Sequence, residues 1–214
     1  MKDCWRKKEK PIRSIGIAGS IRGCGVTHLS VALSNYAASG LGENTAYLEL
    51  CGHGEITHWK ETKGKDYFSD CGVHYYPDFR KEDIPILLNL EYERIIMDFG
   101  DAYVSFREEI LRCDRKVFLL NLNPWQKFAA EKMADTIQNK NWGGIQPLYA
   151  SVNAQKDVKE EMEKKYKIQV TDIFSIPNPK RIRTESFSCM DFILGYSNAN
   201  TKRRKSLLSI RRKA

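Results

Sequence analysis

The chain has 214 residues, 42% hydrophobic and 29% charged, a globular composition long enough for one sizeable core. Its net charge of +8 sits at the ends: residues 202–214 hold seven Lys or Arg and no acid, residues 1–13 hold six basic and two acidic residues, and the body between is near −3, which argues against a whole-domain nucleic-acid footprint. Six scattered cysteines without a C-x-x-C pair, no apolar signal core in the opening MKDCWRKKEKPIRS and no run of membrane-spanning length lead to the expectation of a cytoplasmic protein with reduced thiols.

Residues 1–12 are basic and aperiodic and read as a flexible lead-in; 13–196 read as one domain and 197–214 as a basic tail. Ser14 to Ala18 is a short buried strand ending at Gly19. After a glycine-punctuated loop, Leu29, Leu33, Tyr36 and Ala37 recur on one face of a helix. Leu41 to Asn44 is a turn, Thr45 to Leu50 a strand, and residues 55–63 a weakly marked short helix. Gly72 to Tyr76 is a short strand, and Glu82 to Leu90 a helix entered at Asp83 with Pro85 in its first turn. Tyr92 to Asp98 is an apolar strand ending in an acid, followed by a helix at about 105–112 and a buried strand from Lys116 to Asn121. A helix opened by Pro124 carries Phe128, Met133 and Ile137 and stops at Gly143-Gly144. The strands Ile145 to Val152 and Val170 to Ile176, the charged helix Asp157 to Tyr166 and a helix near 184–194 complete the order. Strands alternating with helices at this spacing predict an α/β fold of three layers, a mostly parallel sheet with helices on both faces. Functional loops of such a sheet lie at the carboxyl ends of its strands.

The loop after the first strand is the candidate site. Gly19, Gly23 and Gly25 precede a helix, the context in which backbone N–H groups and a helix N-terminus receive a phosphate. Against the pattern G-x-x-x-x-G-K-[ST], the last three positions are Gly25, Val26 and Thr27, and Ser20 stands at the opening glycine. The lysine is missing.

The order of segments resembles the deviant-Walker P-loop ATPases of the MinD/ParA type, whose loop reads roughly K-G-G-V-G-K-T-T. Ile21-Arg22-Gly23-Cys24-Gly25-Val26-Thr27-His28 occupies those places, with both lysines lost, to Ile21 and Val26. The family's D-x-D-P-Q-G-N segment falls on Glu49-Leu50-Cys51-Gly52-His53-Gly54-Glu55, its Walker B strand on Ile95-Ile96-Met97-Asp98, and its later N and I-P segments on Asn153 and Ile176-Pro177. The likeness spans about residues 13–195 and rests on the order of several weak motifs. It implies a P-loop NTPase-like fold, and nucleotide contacts from Arg22, Gly23, Cys24, Gly25, Val26, Thr27 and His28, with Asn153 and Pro177 toward the base. It also implies Mg²⁺ held through Thr27 and Asp98, with Asp98 the candidate catalytic residue. Each of these has a plainer alternative: Asp98 and Glu49 as polar strand ends, Asn153 as a turn residue, Arg22 as a solvated loop arginine.

Phosphoryl transfer is catalysed by electrostatics and positioning, and Val26 cannot neutralise developing charge. The expected function is therefore a non-hydrolysing or very weak homologue, with ATP and Mg²⁺ bound weakly at most. It would act as a localisation or scaffold factor in a bacterial assembly, as a homodimer or with a protein partner; pilus-associated members (TadZ/CpaE-like) with atypical loops are the nearest niche. Two alternatives stay open: an active ATPase using Arg22 as the cation, and a DNA-partition protein. Cys24, His28, Cys51 and His53 gather near the loop in such a fold, but their spacing matches no zinc motif. The tail from Thr201 to Lys213 flanks Leu207, Leu208 and Ile210 with cations; it reads as a disordered segment open to weak contact with acidic surfaces, an anionic membrane at the inner face among them.

Overall fold

The computed structural model describes residues 12–59 and 66–196. The basic lead-in up to residue 11, the tail from residue 197 and the latter part of the 55–63 helix lie outside the described residues. The strands are β1 (Ser14–Gly19), β2 (Thr45–Glu49), β3 (Phe68–Asp70), β4 (Val73–Tyr76), β5 (Arg94–Asp98), β6 (Arg115–Leu119), β7 (Leu148–Val152) and β8 (Val170–Ile173). The helices are α1 (Val26–Asn35), α2 (Ile84–Leu88), α3 (Arg107–Arg112), α4 (Lys127–Gln138), α5 (Lys156–Tyr166) and α6 (Phe187–Leu194). Helix α1 runs on as a π-helical segment, Tyr36–Leu41.

The strands form one eight-stranded sheet in the order β3-β4-β2-β5-β1-β6-β7-β8. Only β3 runs antiparallel, against β4; the other pairings are parallel. The chain leaves β1 toward one edge and β5 toward the other, so a crevice opens at the carboxyl ends of these two neighbours, the usual place for a ligand in an open α/β sheet.

Side-chain alternation sorts the sheet into two faces. Ala46, Leu48, Ile95, Met97 and Phe118 pack with residues of α2 to α5. Ile15, Ile17, Ile96 and Val117 pack with Leu29 and Leu33 of α1 and with Met190 and Ile193 of α6. The sequence and the structure differ locally: β7 starts at Leu148 rather than Ile145, and α4 ends at Gln138, short of Gly143-Gly144. Residues 55–59 form turns rather than a helix, with Gly54 at φ 65° just before them. Strand β3, three residues long, is too short to display alternation. Strand β8 stops at Ile173, and the chain runs on without regular structure to Ile176-Pro177.

The amino ends of the strands are held by arginines. Arg94, 4% exposed, pairs with Glu43 at 2.9 Å and donates to the Ile12 and Leu194 carbonyls and to the Tyr196 hydroxyl. Arg115 donates to the Phe192 and Ile193 carbonyls, and Arg13 to those of Leu88, Leu90 and Tyr92. The last carbonyls of α2 and α6, which lack intrahelical partners, are thereby satisfied.

Candidate phosphate-loop site

The loop leaves β1 between its two neighbours. The Gly19 amide donates to the Gly100 carbonyl beyond β5 at 2.7 Å, and the Ser20 amide to the Leu119 carbonyl of β6 at 2.9 Å. A Cβ at Gly19 would lie 2.2 Å from Cys24 Sγ and 2.7 Å from a Val26 methyl, so only glycine lets the loop fold back on its strand. Gly25 caps α1 in the left-handed region at φ 100°, and no side chain satisfies the first amides of that helix. The helix end is open to an anion from its backbone side.

The side chains are less favourable to one. Val26 is 6% exposed and packs into the α1 face of the core, so the position of the missing lysine is filled by buried hydrocarbon. A cleft of about 130 Å³ lies over the loop, lined on one side by Ile21, Arg22, Gly23, Gly25, Val26, Thr27 and His28. His53, Glu55 and Gly100 line the other. That is below the roughly 300–1,000 Å³ of most small-molecule sites. Its charges are mixed: Arg22 and Glu55, both exposed, line it together, and His53 lies 3.6 Å from Asp101. An acid beside the loop opposes a phosphate there.

Beneath the cleft lies a buried polar cluster. Tyr47 and Glu49 of β2 and Asp98 of β5 share the α1 face, with Glu49 in register with Asp98. All three side chains are fully buried. Asp98 accepts from the Tyr47 hydroxyl at 2.8 Å and from the Gly100 amide at 2.9 Å. Burial raises the Asp98 carboxyl above its ordinary value although the Thr27 hydroxyl, the Gly100 amide and the Tyr47 hydroxyl pull it down. Burial and the Asp98 charge push the Tyr47 hydroxyl well up, so it stays a donor. Glu49 accepts the Glu55 amide on one oxygen at 2.6 Å, while its other oxygen has no partner. Burial, and secondarily the charge of Asp98, raises its carboxyl too.

The remaining expected residues divide. His28 hydrogen-bonds the Ile176 carbonyl through Nε2, which brings the start of α1 to the Ile176-Pro177 segment. Cys24 is half-buried against Gly19, and burial raises its thiol. Asn153, exposed at φ 52° after β7, and Pro177 are not among the residues lining the cleft. Pro177 instead borders a separate groove of about 880 Å³ alongside Asn35, Tyr36, Arg181 and Arg183. Among the described residues no group of three or more His, Cys, Asp or Glu is arranged to hold a metal ion. Sequence reasoning attached no role to Tyr47 or to Glu55; the clue available for Tyr47 was its parity, two residues before Glu49 on the same strand face.

No protein-family model matches the sequence, and no curated protein matches it. Solved structures do match in fold. A plasmid partition protein from Borrelia burgdorferi bound to AMPPNP is similar at a TM-score of 0.63 and 13% identity, over 86% of this chain and 98% of that one. The MinD cell division protein of Aquifex aeolicus is similar at 0.62 and 13%, over 86% and 98%. The same organism's MinC:MinD complex contains a chain similar at 0.56 and 14%, over 77% and 84%. The fold is that of the MinD/ParA-type P-loop ATPases.

Proposed function

We propose that this protein is a MinD/ParA-type P-loop homologue that has lost efficient ATP hydrolysis and serves as a localisation or scaffold factor in a bacterial assembly. The observation that carries this reading is Val26: the residue in the lysine's place is not a cation turned aside but an apolar side chain built into the core. Glu55 beside the loop adds a negative charge where the transferred phosphoryl group would build up its own. What survives is the backbone cradle of Gly23 to Thr27 and the α1 N-terminus, which suit weak anion contact rather than turnover. ATP is the nucleotide this geometry would receive, since AMPPNP occupies the Borrelia partition protein. A homodimer or a protein partner is the working assembly, in keeping with the MinC:MinD complex, and the atypical loop is the reason for preferring a pilus-associated (TadZ/CpaE-like) niche.

Phosphate release and calorimetric titration with ATP and Mg²⁺, on wild type, Asp98→Ala and Val26→Lys, test this reading. The expected result is no turnover and weak or absent binding in wild type, with a gain of binding in Val26→Lys. Turnover in wild type that Asp98→Ala abolishes would overturn it. Such turnover would favour the second reading, in which Arg22, the guanidinium lining the cleft, replaces the lysine; its loss in Arg22→Ala would establish that role. A DNA-partition role predicts salt-sensitive DNA binding that persists when residues 202–214 are deleted.

A further inference from the structure

The buried cluster under the loop bears on which ions the site accepts. Mg²⁺ demands near-octahedral oxygen ligation and retains several of its waters, so a carboxylate serving it needs open lone pairs and space for solvent. Asp98 has little of either: an ionised carboxylate offers about four lone-pair sites, a protein donor already occupies each of its two oxygens, and the residue has no exposed surface. The two donors differ in kind. Gly100 contributes its main-chain amide, next to the Thr27 hydroxyl of the loop, which also holds the carboxyl down. Tyr47 comes from outside the loop: it sits opposite Ile96 in the β2–β5 register and reaches diagonally to the carboxylate two residues further along.

We infer that the Tyr47 hydroxyl closes Asp98 against a divalent cation, so that the cleft over this loop takes up no metal through Asp98, which serves instead to join β2, β5 and α1. The hydroxyl donates the hydrogen bond that a metal-bound water would otherwise supply, and both the tyrosine ring and the carboxylate are fully buried. This inference rests on reading residues 19–27 as a phosphate loop, but it concerns the metal and not the rate.

The test uses Mn²⁺ alone as probe, titrated by electron paramagnetic resonance into the full chain. Wild type and Asp98→Asn should give the same titration, with no specific site at millimolar Mn²⁺. Tyr47→Phe, which removes the donor and keeps the ring, should gain affinity on the order of tenfold or more, the scale of one hydrogen bond to a charged group. That gain should disappear in the double variant with Asp98→Asn. A wild-type Mn²⁺ site that Asp98→Asn removes would overturn the inference, and so would a folded Tyr47→Phe that gains nothing. Should Tyr47→Phe not fold, the Asp98 carboxyl ¹³C resonance of the wild-type protein decides: unmoved by millimolar Mg²⁺ it supports closure, and shifted it refutes it. Mn²⁺ binding at Asp98 without ATP turnover defeats this inference alone, whereas Mg²⁺-dependent turnover defeats the proposed function.

Discussion

Strand β5 carries a buried charge at each end, and the two are treated in opposite ways. Arg94 opens the strand and Asp98 closes it, both on the α1 face and roughly 13 Å apart at about 3.3 Å per residue. Around Arg94 every need is met: a carboxylate, two carbonyls and a hydroxyl accept from its guanidinium. Around Asp98 that is not so, because the neighbouring Glu49 keeps one oxygen without a partner and both carboxyls are pushed up by burial. A fully satisfied buried charge ties the chain together; a partly satisfied acid pair is a cost the fold carries. That cost sits under the glycine loop after β1, and the opposite pole carries none.

The contrast can be broken from either end. The largest effect is expected from Arg94→Met, which leaves Glu43 and the Ile12 and Leu194 carbonyls without their donor: a loss of roughly 3–5 kcal/mol, read as a fall in Tm of roughly 10 °C. A loss below about 1 kcal/mol in denaturant melts would show that the arginine clamp is not structural. Asp98→Asn should come next, costing about 1–3 kcal/mol by disturbing both hydrogen bonds to the carboxylate.

Glu49→Gln has the opposite sign. A carboxyl raised in the folded state holds its proton longer there than in the unfolded chain, so stability is lost as pH rises from the ordinary carboxylate value through the folded one. The variant removes that loss, and should be more stable than wild type at pH 8 by on the order of 1 kcal/mol, with the difference vanishing near pH 4. Equal melts at both pH values would place the Glu49 carboxyl in an ordinary environment. The smallest effect is chemical. Burial pushes the Cys51 and Cys113 thiols up to about 12, whereas Cys71 is exposed, so brief alkylation at pH 8 should label Cys71 and spare those two. Mass spectrometry of the labelled chain checks it.

Much of this is legible in the order of residues alone. The alternation of strands and helices, the glycine loop after the first strand and the acid ending the Walker B-like strand all depend on local periodicity and spacing, which a sequence displays directly. Arg94 is not legible in that way, because a charged residue at a strand's first position is ordinarily solvated; its burial depends on Glu43, Leu194 and Tyr196, up to about a hundred residues away. Asn153 and Pro177 fall at strand-end loops as expected, yet backbone spacing could not say that the cleft over the loop would be lined without them.

By itself, the sequence determined the α/β order, the position of the loop and the valine standing where the phosphate-loop pattern has lysine, because these are properties of residue type and local spacing. Only the tertiary structure decided that Val26 is core rather than rim, that Glu55 lies beside the loop, and that Tyr47 occupies Asp98. Those outcomes depend on strand register and on side chains meeting across β2, β5 and α1, and no stretch of the chain encodes such contacts alone.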